Sequence, residues 1–518
     1  MAYRRDKHSI SRLRPDDRAR WGRFPRCLVG AALVAVVGGA NLSAQTPELR
    51  LIEAVRAGQS ERAMAFVPDV DVNAAQADGA TALHWATYFD DEMLAARLVA
   101  SGADAGAAND LGVTPLSLAC ENGSAAMVGL LLKAGADPNA AMGTGETVLM
   151  GCARTGSTDA VRALLVAGAD VDAREQSEHQ TALMWGVAQR HAGVVRLLIE
   201  YGADVAARSR ERRKVISRRL QSELKYGELG RNYGTDAEET RVGGFTPLLF
   251  AARHGDVASA RLLLEAGADV NDRAPDGATA LVVAVHSDHR ALALFLLEQG
   301  ANPAAASAGY TALHAAALTG DVVVVEALLA HGARPDAQVT LATKVTRNGQ
   351  VLMIGEHLLG ATPFALAAKF TEVEIMRVLA AADADARLPL KNGWTPLMLA
   401  AGASWRYAVW DRRDRALAKA PAFQAQMYDE VATLAAVTLV ADLGVDLNAV
   451  DADGSTALHH VVDKGFAAVV QRLVDRGADL AVANSRGQTP LSIVERGLTG
   501  NVEAAAATTA LLRSLGAS

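Results

Sequence analysis

The chain has 518 residues, of which 50% are hydrophobic and only 5% aromatic, and its formal net charge is −7. This length requires several domains or one extended array, and the low aromatic content favours a core of Ala, Leu and Val. Residues 1–26 carry a net charge of +6 and residues 27–44 carry none, which leaves −13 for residues 45–518. A chain segment this acidic repels the phosphate backbone of nucleic acids. We therefore expect no nucleic-acid partner.

The N-terminal segment has the pattern of a secretory signal. The basic start is followed by an uncharged apolar run, Cys27–Ala40, and the small residues of NLSAQ then offer a cleavage site after Ala44. A run of 14 residues is short for a membrane span. We therefore expect residues 1–44 to be a signal peptide, with a retained anchor as the alternative. The mature bacterial protein would be periplasmic or secreted, with no stable membrane insertion.

A four-residue phrase that opens on Thr recurs along the chain, and most neighbouring copies are separated by 32–34 residues. It reads TALH, TPLS, TVLM or TALM in the first four copies, and a GAD, GAN or GAR phrase follows most copies by 21 residues. The copies open at Thr81, Thr114, Thr147, Thr181, Thr246, Thr279, Thr311, Thr362, Thr395, Thr456 and Thr489. Self-similarity at this period is typical of a repeat architecture.

These units resemble the ankyrin repeat, whose period and T-P-L-H-x-A signature they match, and more narrowly the exported ankyrin repeat proteins of bacteria. The resemblance implies an all-α solenoid of about twelve stacked repeats, each a helix-turn-helix with a β-finger. Within one unit, the Thr81 hydroxyl can cap a helix, and Gly102 can end the next helix in the left-handed conformation. Asp383 stands at the position of Gly102, so we expect a locally weaker junction there.

The Thr and Gly marks also give the domain boundaries. We expect an N-terminal capping repeat over residues 45–80, and repeats over 81–206, 244–337, 361–403 and 432–518, the last range with a C-terminal cap. Three inserts lengthen the spacing between marks, at residues 207–243, 338–360 and 404–431.

The inserts differ in composition, and each leaves an alternative open. The first holds ten Lys+Arg and six Asp+Glu from Arg208 to Arg241. It could be a solvated helix, a mobile loop or a docking element for an acidic partner. The second has β-prone runs about RNGQ (347–350), which favour a hairpin. The third carries Trp405, Tyr407 and Trp410, of the residue types that dominate interfaces, but they could also pack against the protein itself.

Sequence motifs for catalysis are absent. The chain has no P-loop, G-x-S-x-G, H-E-x-x-H or paired-Cys motif, so we expect no enzyme, cofactor or metal. His84, His314 and His459 share the fourth position of the Thr phrase, which favours a structural hydrogen bond. Trp85 and Trp185 also share one position, which indicates core packing.

Cys120 and Cys152 lie at near-equivalent positions of adjacent repeats. Helices of neighbouring repeats pack about 10 Å apart, whereas a disulfide tolerates about 7 Å between Cα atoms. We therefore expect two buried free thiols.

The resemblance also implies where a partner binds, because ankyrin arrays hold partners on the concave face, at finger tips and first-helix ends. The matching positions are Tyr88, Phe89, Glu121, Asn122, Arg154, Arg253, His254, Lys369 and Phe370, and Tyr310 and Trp394 lie on the same face just before their Thr marks. With the third insert they predict a monomeric, non-catalytic scaffold for a protein or peptide partner. The alternatives are an accessory or inhibitory subunit of a periplasmic enzyme, and an enzyme with a site formed by the inserts.

Overall fold

The computed structural model describes residues 47–217, 237–342, 354–403, 429–462, 464–496 and 502–517. The expected signal peptide, the RNGQ hairpin and the aromatic residues Trp405, Tyr407 and Trp410 lie outside these ranges. The chain divides into two compact units. The first holds residues up to Arg210 together with Arg261–Gly267, and the second holds Glu211–Ala260 and the chain from Ala268 onwards.

Each repeat is a pair of short helices. The recurring Thr precedes the first helix, and the recurring Gly follows the second. In the repeat of Thr114, the Thr hydroxyl accepts a hydrogen bond from the Ser117 N–H at 3.2 Å, and Pro115 occupies the first turn. The second helix of this repeat is followed by Gly135, at a φ of 94°. The predictions of Thr caps and left-handed glycines are therefore confirmed in this repeat. Asp383 adopts the same conformation, at a φ of 61°.

We call the first helix of each repeat the inner helix and the second the outer helix. In the first unit, each inner helix packs against the inner helix of the next repeat, and each outer helix packs against the next outer helix. The inner–outer pairs are α1 (Pro47–Arg56) and α2 (Ser60–Phe66), α3 (Ala82–Tyr88) and α4 (Glu92–Ala100), α5 (Pro115–Asn122) and α6 (Ala125–Lys133), α7 (Val148–Thr155) and α8 (Thr158–Val166), α9 (Ala182–Ala188) and α10 (Ala192–Glu200).

The second unit continues the alternation and adds two strands, β1 (Glu211–Ser217) and β2 (Ala237–Gly243). Its pairs are α11 (Pro247–His254) and α12 (Val257–Glu265, divided between the units), α13 (Ala280–His286) and α14 (Arg290–Glu298), α15 (Ala312–Thr319) and α16 (Val322–Ala330), α17 (Pro363–Lys369) and α18 (Val373–Ala381), α19 (Pro396–Ala401) and α20 (Glu430–Asp442), α21 (Ala457–Val462) and α22 (Ala467–Asp475), α23 (Pro490–Glu495) and α24 (Val502–Ser514). Single turns of 3-10 helix span Val67–Asp69 in the first unit and Glu356–Leu358 in the second.

Buried histidines join neighbouring repeats, as their repeated position predicted. The Thr81 N–H donates to His84 Nδ1 at 3.1 Å, so the opposite nitrogen, Nε2, is the donor to the Val113 carbonyl at 3.0 Å. His314 and His459 make the same pair of contacts, the former with the carbonyl of Ala361 across the second insert. Burial lowers the pKa of His314 to about 4, so its ring is neutral at pH 7.

The expectation of free thiols is wrong, because Cys120 and Cys152 form a disulfide with 4.4 Å between their Cα atoms. Both residues are fully buried on the inner helices α5 and α7. The packing distance of about 10 Å separates the axes of two helices, whereas Cα atoms lie about 2.3 Å from the axis. Cα atoms on the facing sides of α5 and α7 can therefore come within disulfide range.

The first insert begins and ends in paired strands. Strands β1 and β2 are antiparallel, and Glu211 pairs with Gly243 at their base. The interpretation as a helix or mobile loop is therefore wrong for these two segments. The side chains of Glu211 and Arg241 form an exposed ion pair at 3.2 Å.

Candidate functional site

In the first unit, the predicted residues at the inner-helix ends form a row across three repeats. Tyr88 ends α3, Phe89 follows it, and their rings meet edge to face with centroids 5.1 Å apart. Asn122, at the end of α5, donates from Nδ2 to the Tyr88 carbonyl at 3.1 Å and so joins the repeat of Thr114 to the repeat of Thr81. Phe89 remains 48% exposed. The row therefore presents an aromatic group to solvent on a hydrogen-bonded support.

The same row continues into a charged cluster. Arg154 on α7 donates from Nη2 to the Glu121 carboxylate on α5. The Arg154 guanidinium also lies over the ring of Trp185 on α9, 5.7 Å from the ring centroid. Its Nε is buried and has no hydrogen-bond acceptor in the described part of the chain. Arg154 thus links three consecutive inner helices.

Glu146 and Glu175 complete this cluster from two neighbouring fingers. The Gln176 N–H donates to the Thr144 carbonyl at 3.0 Å, which joins the two fingers. Burial raises the pKa of Glu146 to about 7, and the negative charge of Glu175 adds to the effect. We call Glu121, Glu146, Arg154, Glu175 and Trp185 the Glu146 cluster.

Glu175 has the opposite electrostatic state. Burial alone would raise its pKa, but hydrogen bonds to its carboxylate outweigh burial and lower the pKa below the ordinary value. The donors are the N–H groups of Gln180, Ser177 and Glu178 and the Ser177 hydroxyl, at distances of 2.6–2.9 Å. Glu175 is therefore ionised at pH 7, whereas Glu146 is near half-protonation.

A small depression opens between two fingers beside this cluster. Its lining includes Gly112, Ser117, Glu121, Met142, Glu146 and Gly151. The space open to the centre of a water molecule is about 20 Å³, little more than one water requires. The depression therefore suits the tip of a side chain and not a whole small-molecule substrate.

In the second unit, three of the predicted site residues are buried. Tyr310 is 1% exposed and packs beside His286, while Lys369 and Phe370 are 9% and 4% exposed. Their burial contradicts the expectation that these three side chains contact a partner on the concave face. Tyr310 stands directly before its Thr, where the chain enters the inner helix and the side chain turns into the core.

The remaining predicted residues of the second unit are half-buried. Arg253 and His254 end α11, and the carbonyl of Arg253 lies 3.0 Å from the ring Nε2 of His289. Trp394 donates from Nε1 to Asp451 at 3.2 Å, and His460 contacts the same carboxylate oxygen at 3.0 Å. Their partners are the His289 and Asp451 side chains of the next repeat, so Arg253 and Trp394 also join repeats.

Comparison with known proteins decides the family. A model of ankyrin repeats in three copies matches residues 51–142, 139–209, 228–307 and 248–339, and a model of ankyrin repeats in many copies matches residues 439–494. Together these ranges cover more than half of the chain. The chain belongs to the ankyrin repeat family. The all-α repeat solenoid expected from the sequence is therefore confirmed.

Two ankyrin repeat proteins match short stretches. A stretch of 59 residues is 48% identical to an ankyrin repeat-containing protein of Treponema pallidum (strain Nichols), over 11% of this chain and 20% of that protein. A stretch of 55 residues is 36% identical to an ankyrin repeat-containing protein of Schizosaccharomyces pombe, over 11% and 27%. The chain thus spans less than a third of either relative. Ankyrin repeats are generally protein-interaction modules and typically non-enzymatic.

Sequence reasoning missed Glu146 and Glu175 as members of this ankyrin site and placed Trp185 in the core. Glu146 occupies the position just before the Thr mark, which is Ala80, Val113 or Ala278 in other repeats. In further repeats the same position holds Gln180, Tyr310 or Trp394, so the residue type at this position did not single out Glu146. Trp185 was expected in the core, yet it is half-buried beneath Arg154, whereas Trp85 is buried as predicted.

Two further properties hold across the described ranges of this ankyrin array. Within them, no group of three or more His, Cys, Asp or Glu residues could hold a metal ion. No helix in the same ranges has the length and apolar character needed to cross a bilayer.

Proposed function

We propose that this ankyrin repeat protein is an exported, non-catalytic scaffold that holds a protein or peptide partner on its concave face, with contributions from its inserts. The observation that carries the proposal is the row from Tyr88 to Arg154. There an exposed aromatic ring, an amide and an ion pair lie side by side on three inner helices. Partly exposed aromatic and Arg side chains on a rigid support are typical of interface hot spots.

The proposed export has separate support. The N-terminal sequence has the order of a secretory signal, and the Cys120–Cys152 disulfide is of the kind that persists in oxidising compartments. Mass spectrometry of protein from a periplasmic or secreted fraction should find Gln45 at the N-terminus. An unprocessed cytoplasmic product with free thiols at Cys120 and Cys152 would refute export.

Partner binding is tested by affinity capture from a periplasmic extract with matched variants. Phe89→Ala removes the exposed ring of the row, whereas Met93→Ala removes an equally apolar, 72% exposed side chain on the outer helix α4. We expect Phe89→Ala to weaken capture of a specific partner by about tenfold or more, in the range of a hot-spot truncation, and Met93→Ala to leave it unchanged. Equal effects of the two variants would remove the row from the interface.

A further inference from the structure

Glu146 is a buried carboxylate that the described part of the protein leaves without a hydrogen bond. Its side chain is 6% exposed, and the nearest cationic group is the Nη2 of Arg154, at 3.9 Å. That distance is too long for a hydrogen bond, and the same Arg154 nitrogen already contacts Glu121. A buried carboxylate in this state is costly, because its charge has lost water and gained no donor.

The depression beside Glu146 has the size and lining of a cation subsite. Its inner space of about 20 Å³ matches a water-sized group such as an ammonium, and is too small for a planar guanidinium. Its lining residues include Glu146, Glu121 and Ser117, and the Glu146 carboxylate is the acceptor among their side chains that has no hydrogen bond in the described ranges. Met142 adds an apolar wall suited to a lysine stem.

The charge of the surroundings favours the same ligand. Residues 47–210 carry 12 Lys+Arg and 21 Asp+Glu, a net charge of −9. In the Glu146 cluster, three carboxylates face one guanidinium. A cation would therefore be attracted to this part of the unit and would reduce the local excess of negative charge.

We propose that the depression beside Glu146 is a subsite for a lysine side chain of the protein partner. This inference rests on the proposed scaffold function and names the chemistry that the partner must present there. The ammonium donates to the carboxylate of Glu146, and the lysine stem lies against Met142.

Binding at this subsite depends on pH through Glu146. The groups that face it are Glu121 from α5, Arg154 from α7 and Glu175 from the next finger. Hydrogen bonds keep the pKa of Glu175 below its ordinary value, whereas burial raises the pKa of Glu146 to about 7, so Glu146 titrates near neutrality. Because only its ionised form attracts an ammonium, affinity should fall about tenfold from pH 8 to pH 6.

The test uses the full chain with methyl-labelled methionine and two tripeptides. One peptide is acetyl-Gly-Lys-Gly-amide, and the other carries norleucine in place of lysine and so lacks only the ammonium. The NMR signal of Met142, assigned with Met142→Leu, reports binding. At pH 8 we expect the lysine peptide to bind about tenfold more tightly than the norleucine peptide, the effect of one charge-assisted hydrogen bond.

Matched variants decide whether Glu146 is responsible. Glu146→Gln should abolish both the preference for lysine and its pH dependence. Glu92→Gln, which removes the same charge from an exposed position on α4, should change neither. Equal binding of the two peptides to the wild-type protein would overturn the proposal without any variant, and so would wild-type affinity in Glu146→Gln.

Failure of the scaffold function gives a different result. If the protein captures a partner but shows no lysine preference at Met142, the subsite is wrong and the scaffold stands. If the lysine peptide binds through Glu146 but extracts yield no partner, the subsite stands and the scaffold assignment loses its support.

Discussion

Removing the Cys120–Cys152 cross-link should destabilise the first unit by an amount that the loop length sets. The bond closes a loop of 32 residues. In the chain-entropy model, a loop of this length corresponds to about 4 kcal/mol at 25 °C. The double variant Cys120→Ala/Cys152→Ala also loses two buried sulfur atoms, so its free energy of unfolding should fall by at least this much.

The assay combines chemical denaturation with hydrogen exchange, because a repeat array can unfold in parts. We expect amide protection to drop most in α5 and α7, the two helices that the bond joins. Reducing agent should lower the stability of the wild-type protein and have no effect on the double variant. Two reactive thiols in the unreduced, denatured mature protein, or a loss below about 1 kcal/mol in the variant, would refute the reasoning.

Three further measurements test the electrostatics, the core and a helix end. The difference in free energy of unfolding between Glu146→Gln and the wild type should favour the variant by about 1–3 kcal/mol more at pH 8 than at pH 4.5. The reason is that the folded state raises the pKa of Glu146 to about 7, so the wild type loses stability as pH rises from 4.5 to 7. A difference between the two proteins that does not vary with pH would contradict this. Leu263→Ala, at a fully buried position, should cost about 2–5 kcal/mol in chemical denaturation, whereas Leu111→Ala, at a side chain that is 59% exposed, should cost less than about 0.5 kcal/mol. Asp383→Gly should raise the free energy of unfolding by about 1 kcal/mol, because glycine adopts the φ of 61° without the steric penalty of a Cβ; a destabilised variant would show that the aspartate side chain supports the turn.

The sequence predicted the helix pairs because each of their ends is set by a local signal. Thr114 caps its own helix and Gly135 reverses its own turn, so no information from distant residues is needed. The disulfide was mispredicted for the opposite reason. The separation of two cysteines depends on how their helices pack and on which sides face each other, and both are known only once the helices are in place.

The candidate site shows the same division between local and three-dimensional information. The repeat period placed Phe89, Asn122 and Arg154 on one face, and the structure finds them in one row. The repeat period could not predict how deeply the residue before each Thr is buried. At that position Tyr310 is enclosed, whereas Trp394 is only half-buried. Glu146 becomes notable only when its burial and the distance to Arg154 are known.

The contact of His314 with the carbonyl of Ala361 has a consequence for how this protein can change in evolution and engineering. The two residues are 47 positions apart, yet their contact matches the one that His84 makes across only 29 positions. The extra length is confined to the finger between them, and the histidine bond holds the next helix in its usual place. Each finger between a histidine and its carbonyl partner is thus a point where the chain can accept new sequence while the neighbouring helices keep their contacts.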